Sequence, residues 1–145
     1  MTRGENDHNP FDLRYNPKIP WMGLAQPPQD DKGYCVFIKY ANAMNPDYWG
    51  LRAGFRDLFT KWGIDKLRTI GEIVPKFAPP GENDTEAYIE VVCESTGWKR
   101  DEALDLLQAD NLKRLGKAFL RDEQGAVRYN ESQLDAAIVS AMVRR

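Results

Sequence analysis

One apolar stripe at helical spacing constrains the fold of this chain more than any other feature. Large apolar residues recur every three or four positions between residues 48 and 62, which predicts an amphipathic helix of roughly four turns. A helix with one apolar side must be buried against other elements, so the chain needs a mainly helical core around it. The stripe consists of Tyr48, Leu51, Phe55, Leu58, Phe59 and Trp62.

Residues typical of helix ends surround this stripe. Asn45 is a good N-cap for the helix, and Gly63 is suited to end it. Thr69 and Glu72 have the spacing of a capping box at the start of a second, short helix, which we expect Pro75 to end.

Four further helices are predicted downstream. The first runs from about Asn83–Thr85 to Gly97, and the others begin near Lys99, at Asn111 and at Asn130. The segment DEQGAVRYN between the last two is predicted to be a turn. The predicted fold class is therefore mainly α, with five or six short helices.

The first 32 residues lack helical periodicity and hold five of the nine prolines. Because the residue before a proline favours extended geometry, this segment is predicted to be irregular and extended, with QPPQDDKG as a loop. Residues 33–41 are rich in β-branched and aromatic residues and are predicted to form a strand or a buried extended segment. A weak boundary divides a core with an extended N-terminal arm (1–97) from a helical extension packed on it (98–145).

Composition excludes several classes of function. The net charge is -2, with both signs mixed along the chain, which disfavours a dedicated nucleic-acid binder. The two cysteines, Cys35 and Cys93, do not form a Cys-x-x-Cys pair, and the single histidine is His8. We therefore expect no metal site and no cofactor. The cysteines are expected to be half-buried thiols, with a disulfide as the alternative.

No apolar run approaches the ~20 residues that a membrane-spanning helix needs. The N-terminus, MTRGENDHNP, lacks the apolar segment of a signal peptide. The chain is therefore expected to be made in the cytoplasm and to carry no membrane span.

The stretch KFAPPGENDTEAYIEVV is the first candidate for a functional site. Asn83, Asp84 and Thr85 are common helix N-cap residues, so a helix start alone accounts for the polar cluster. It does not account for the aromatic-Ala-Pro-Pro run that precedes the cluster. Two prolines stiffen a loop, which suits the edge of a binding site.

A second candidate lies in the segment HNPFDLRY and the following WMG. Its polar groups and aromatic rings suit sugars, whose hydroxyl groups form hydrogen bonds and whose C–H faces stack on rings. Alternatively, Arg14 pairs with a carboxylate, and Tyr15 and Trp21 belong to the core. A third cluster, Arg52 and Arg56 beside Asp57, is predicted to be a solvated helix face with ion pairs.

Taken in order, these segments resemble a family of small phage and prophage proteins. That family carries a pattern close to NNPxNIRY, WxG, GxRA, TIxxI and WAPPxENDTxxY. Residue Phe77 stands where the family has tryptophan, and Asp12 stands where it has a second polar residue of the first motif. More distantly, the motif order resembles the glucosaminidase branch of the lysozyme-like superfamily. The matching segments here are 8–15, 21–23, 50–53, 69–73 and 77–88.

The resemblance implies a bacteriophage protein with a lysozyme-like domain, carried in the virion or released at lysis. It implies two alternatives: a peptidoglycan glycoside hydrolase or lytic transglycosylase, or a non-catalytic virion adaptor protein. The implied partners are peptidoglycan and other virion proteins.

The resemblance also implies site residues. Glu82 would be the catalytic acid, assisted by Asp84, and Glu5 is the other candidate acid. A pair of carboxylates about 5–9.5 Å apart is typical of glycosidases, and Asp12 is a second possible partner. The implied substrate-binding residues are Asn83, Thr85, Tyr88, Arg14, Tyr15 and Trp21.

Overall fold

A computed structural model of the chain describes residues 2–41, 45–81 and 84–143. Within these residues it contains six helices and a small antiparallel sheet, which confirms the mainly α fold class. The helices are α1 (Arg3–Asn6), α2 (Tyr48–Gly63), α3 (Ile70–Phe77), α4 (Thr85–Thr96), α5 (Ala109–Gln124) and α6 (Glu131–Met142). The strands are β1 (Leu24–Gln29) and β2 (Cys35–Phe37).

Helix α2 is the central element, in contact with α3, α5 and α6. The predicted apolar stripe is confirmed, since Leu51, Phe55 and Leu58 are fully buried and Trp62 is nearly so. The same hydrophobic core takes side chains from residues 2–41, which we call the front segment, and from α3 to α6. The division at residue 97 stays a prediction.

Three of the predicted helix ends are confirmed. The Thr69 side chain accepts a hydrogen bond from the Glu72 amide, 3.2 Å away, at the start of α3. The Asn130 side chain accepts one from the Gln133 amide at 2.9 Å, in a complete capping box. Gly97 follows α4 with a φ of 82°, the left-handed conformation that glycine adopts without steric cost.

Helix α2 begins two residues later than predicted, because its N-cap is Asp47 rather than Asn45. The Asp47 carboxylate is occupied elsewhere: it lies 2.6 Å from His8 Nδ1 and accepts a 2.6 Å hydrogen bond from the Tyr129 hydroxyl. Asp47 thus joins the front segment to the region before α6. Helix α3 also continues past Pro75 to Phe77, so the prediction that Pro75 ends it is wrong.

The helix predicted from Lys99 is wrong, because residues 97–108 form an irregular connection. Its peptide groups bond to other parts of the chain: the Leu104 amide donates to the Arg68 carbonyl, and Trp62 Nε1 donates to the Leu104 carbonyl, each at 2.8 Å. Leu104 is buried, whereas Leu107 is 64% exposed. Long-range hydrogen bonds here replace those that a helix would make within itself.

The front segment is more ordered than predicted. The stretch predicted as a loop contributes β1, which pairs with β2 through Leu24 opposite Phe37 and Gln29 opposite Cys35. Prolines are accepted in this strand because it has only one partner strand. Helix α1 was also not predicted. Both cysteines are free thiols, so the disulfide alternative is wrong.

The arginines of α2 do not form a solvated face. Arg52 is buried and donates a 2.8 Å hydrogen bond to Ser140 Oγ. Arg56 donates to the carbonyls of Ala141 and Val143, at 2.8 and 3.1 Å. These contacts satisfy carbonyl groups at the end of α6 and fix that helix on α2. In the part of the chain described here, no helix combines the length and the apolarity needed to span a bilayer.

Candidate functional site

Asn9 shapes the turn that carries the first candidate site residues. It is fully buried, and its Nδ2 donates to the carbonyls of Leu13 and Cys35, each at 3.0 Å. Its Oδ1 accepts from the Leu13 amide, also at 3.0 Å. These bonds close a turn in which Asp12 has a φ of 49°, a conformation that aspartate tolerates better than most residues.

Two glycines of α2 let this turn lie directly on the helix. A Cβ on Gly50 would lie 2.0 Å from the His8 carbonyl oxygen, and a Cβ on Gly54 would lie 1.9 Å from the Phe11 ring. No larger residue fits at either position without moving the front segment. The small residues therefore set the distance between the segment and the core.

A chain of aromatic contacts joins the front segment to three helices. The Phe11 ring centroid lies 6.4 Å from that of Phe77, at the end of α3. Phe77 in turn lies 4.7 Å from Phe119 of α5, and Phe119 lies 5.4 Å from Tyr88 of α4. These edge-on and tilted contacts place the proline corner (residues 77–81) beside the front segment.

Between the front segment and the proline corner lies a hollow that we call the front cleft. It consists of two adjoining cavities of about 390 and 280 Å³. Both cavities are lined by Asp12, Arg14, Phe77 and Pro79, so they lie side by side along one groove. Further lining residues are Tyr15, Trp21, Asp57, Lys61 and Lys76 in the larger cavity and Arg3, Tyr34, Ala78 and Glu123 in the smaller one.

Three of the predicted substrate-binding residues line this cleft. Arg14 is exposed, with its guanidinium 4.5 Å from the centre of the Tyr34 ring and its Nη1 donating to the Lys32 carbonyl at 3.2 Å. Tyr15 and Trp21 are half-buried and line the larger cavity. The structure thus brings these side chains together with the proline corner.

The predicted residues on α4 are held in local contacts. Asp84 is exposed and caps the helix, accepting a 3.1 Å hydrogen bond from the Ala87 amide. The Thr85 hydroxyl donates to the Ala78 carbonyl at 3.4 Å. Tyr88 is only 3% exposed and reaches the cleft through Glu123. Glu82 and Asn83 lie outside the described residues, and their predicted roles stay predictions.

Glu123 is a site residue that the sequence reasoning missed. Its Oε2 accepts a 2.6 Å hydrogen bond from the Tyr88 hydroxyl, and its carboxyl group is within hydrogen-bonding reach of Asp12. Burial, together with the negative charges of Asp12 and Asp122, raises the pKa of Glu123 to about 8 although the Tyr88 hydroxyl lowers it. One wall of the cleft therefore carries a carboxyl group that is protonated at neutral pH.

A sequence signal for Glu123 exists. It follows Phe119 by four positions and Leu115 by eight, so it continues the buried stripe of α5. The predicted turn includes the segment DEQ, so the prediction leaves Glu123 outside the helix that carries the stripe. Helix α5 in fact continues to Gln124.

Glu5 and Asp57 have surroundings that differ from those of Glu123. Hydrogen bonds from Thr2 lower the pKa of Glu5, which also pairs with Arg128 at 3.3 Å. Glu5 therefore lacks the environment of a proton donor. In the larger cavity, burial raises the pKa of Asp57, and the Lys61 ammonium, 2.8 Å away, opposes that rise.

The sequence is similar to that of a bacteriophage protein. The relative is protein P5 of Pseudoalteromonas phage PM2, which is 42% identical over 109 residues. The match covers 72% of this chain and 61% of protein P5, so the chain spans about three-fifths of that relative's length. No family model matches the chain.

Proposed function

We propose that this chain is a virion-associated phage protein whose front cleft binds and cleaves the glycan strands of peptidoglycan. The observation that carries the proposal is the groove between the front segment and the proline corner. Similarity to a phage protein supports the phage origin. The peptidoglycan substrate and the lysozyme-like character rest on the motif resemblance and on the chemistry of the groove.

The groove has the two kinds of group that sugar binding requires. Flat rings are supplied by Tyr15 and Trp21, on which the C–H faces of a pyranose can stack. Hydrogen-bonding groups are supplied by Arg14 and Lys76, which suit hydroxyl and acetamido oxygens. Each cavity is of the order of the smaller ligand sites found in proteins, roughly 300 Å³ upward.

Binding can be tested by sedimentation with purified peptidoglycan sacculi. Wild-type protein is expected to pellet with the sacculi, and Arg14→Ala and Trp21→Ala are each expected to weaken binding by about tenfold, the equivalent of ~1.4 kcal/mol. Arg100→Ala is the matched control, because Arg100 is an exposed arginine of another surface, paired with Glu86 at 2.8 Å. Equal binding by all four proteins would contradict the proposal.

A second candidate function is that of a non-catalytic virion adaptor. The observation that favours it is the local use of Asp84 and Thr85 in helix capping and corner contacts. Under this alternative, wild-type protein stays in the supernatant when the sacculi are sedimented, and it is found in purified virions in a fixed ratio to the other structural proteins.

A further inference from the structure

The geometry points to Glu123 as the proton donor of the cleavage reaction, with Asp12 and Tyr88 as positioning residues. This inference rests on the proposed function and names the group that performs its chemical step. It moves that role from Glu82, the acid predicted from the sequence, to Glu123 in the last turn of α5.

The position of Glu123 is fixed from two sides. The Tyr88 hydroxyl, itself buried, donates to Oε2 from α4 at 2.6 Å. Asp12 approaches from the front segment, where the Asn9 turn and the buried Phe11 hold it. The carboxyl group thus sits on the wall of the smaller cavity, which Arg3 and Arg14 also line.

The pair needs a proton to be stable. Asp12 Oδ1 is buried and has no hydrogen-bond partner among the described residues. If both carboxyl groups were ionised, each would offer only acceptors and the two charges would repel. One proton held by the pair removes the repulsion and supplies a donor.

Charged groups around the pair decide which carboxyl group holds the proton. Burial raises the pKa of Asp12, and Asp30 raises it further, whereas the hydrogen bond with Glu123 and the charge of Arg3 oppose that rise. Glu123 faces Asp12, Asp122 and the Tyr88 hydroxyl. Since the guanidinium group of Arg3 favours ionised Asp12, the proton resides on Glu123.

The proposed step balances with water as the second reactant. The Glu123 proton passes to the glycosidic oxygen while the bond from that oxygen to the sugar C1 breaks, and the bonding electron pair stays with the departing oxygen. The Glu123 carboxylate then takes a proton from water as the water oxygen bonds to C1. In a lytic transglycosylase, the sugar's own 6-hydroxyl group replaces water in the second step.

The test compares isosteric variants on purified sacculi, with clearing rate and binding measured on the same samples. Glu123→Gln keeps an acceptor for Tyr88 and gains a donor for Asp12, so the fold and the binding are expected to be retained. Its clearing rate is expected to fall by about 100-fold or more, the usual contribution of a general acid. Glu86→Gln, at an exposed glutamate of α4 that pairs with Arg100 at 2.8 Å, is expected to clear at close to the wild-type rate.

The pH profile distinguishes a chemical role from a structural one. Activity should be lost as pH rises through the pKa of Glu123, because the donor must be protonated. Asp12→Asn removes a charge that raises this pKa, so the alkaline limb is expected to move to lower pH. Tyr88→Phe removes a hydrogen bond that lowers the pKa of Glu123, so the alkaline limb of the pH profile is expected to move to higher pH.

Folding stability supplies a readout that does not depend on activity. A carboxyl group whose pKa is raised in the folded state stabilises the fold while it is protonated, and that stabilisation is lost as pH rises from the unfolded pKa, near 4.5, to the folded value of about 8. The urea midpoint of the wild type is therefore expected to fall between pH 5.5 and pH 8.5. In Glu123→Gln this fall is expected to be smaller.

The outcomes separate the two proposals. Wild-type clearing that survives in Glu123→Gln overturns the inference and leaves the proposed function standing. Binding of the wild type without any clearing also overturns the inference. Wild-type protein that neither binds nor clears sacculi defeats the proposed function together with the inference.

Discussion

Replacing Phe11 with alanine is expected to lower the free energy of unfolding by about 3–5 kcal/mol. The Phe11 side chain is fully buried, with its ring centroid 5.3 Å from that of Phe55 and 6.4 Å from that of Phe77. Its removal leaves a cavity where the front segment meets α2. Because total stabilities are commonly ~5–15 kcal/mol, this loss would leave a marginal fold, and it can be measured by urea unfolding with tryptophan fluorescence.

Phe59→Ala is the matched control for this change. Phe59 also belongs to the apolar stripe of α2, but it is only partly buried and stacks on Trp62 at 6.2 Å. Phe59→Ala is expected to lower the free energy of unfolding by less than half as much as Phe11→Ala. If the two variants lose equal stability, the front segment does not depend on Phe11 for its attachment to the core.

Asn9→Ala is the second change with a large expected effect, a loss of about 2–4 kcal/mol. The substitution removes three hydrogen bonds and leaves a buried amide and two buried carbonyl groups, those of Leu13 and Cys35, without their partner. The turn that carries Asp12 then loses its internal support. Urea unfolding measures the change.

Asn16→Ala controls for the loss of an asparagine in a turn. Asn16 is exposed, and its Oδ1 accepts a single 2.9 Å hydrogen bond from the Lys18 amide. Since water can replace that bond, the expected loss is below ~1 kcal/mol. A wild-type midpoint for Asn9→Ala would show that the turn does not need its side-chain bonds.

Local signals in the sequence were sufficient for several elements. The spacing of apolar residues predicted α2, and the caps at Thr69 and Asn130 predicted the starts of α3 and α6. In these cases the side chain that predicts the helix also makes its contact within one or two helical turns of its own position. Gly97 is similar, because its own backbone conformation ends α4.

The errors lie where distant contacts decide the structure. Residues 97–108 have the composition of a helix, yet the backbone of Leu104 bonds to Trp62 of α2 and to Arg68, which precedes α3. Strand β1 contains two prolines and becomes ordered only because β2 pairs with it. In both cases the bonding partner lies outside the local sequence pattern, so that pattern could not predict the contact.

For the same reason, the sequence predicted only part of the candidate site. Arg14, Tyr15 and Trp21 were identified from their chemistry, and the structure places them in one groove with the proline corner. Glu123 is about 110 residues from Asp12 along the chain. Only the packing of α5 beneath the front segment makes these two carboxyl groups neighbours.

The central claim, that the front cleft holds a glycan strand, is tested most directly by NMR titration of ¹⁵N-labelled protein with a soluble N-acetylglucosamine–N-acetylmuramic acid tetrasaccharide. The account predicts saturable shifts of the Trp21 indole N–H and of the amides of Arg14 and Ala78. Shifts confined to residues outside the cleft, such as Ile64 and Val139, or no shifts at millimolar sugar, would contradict it.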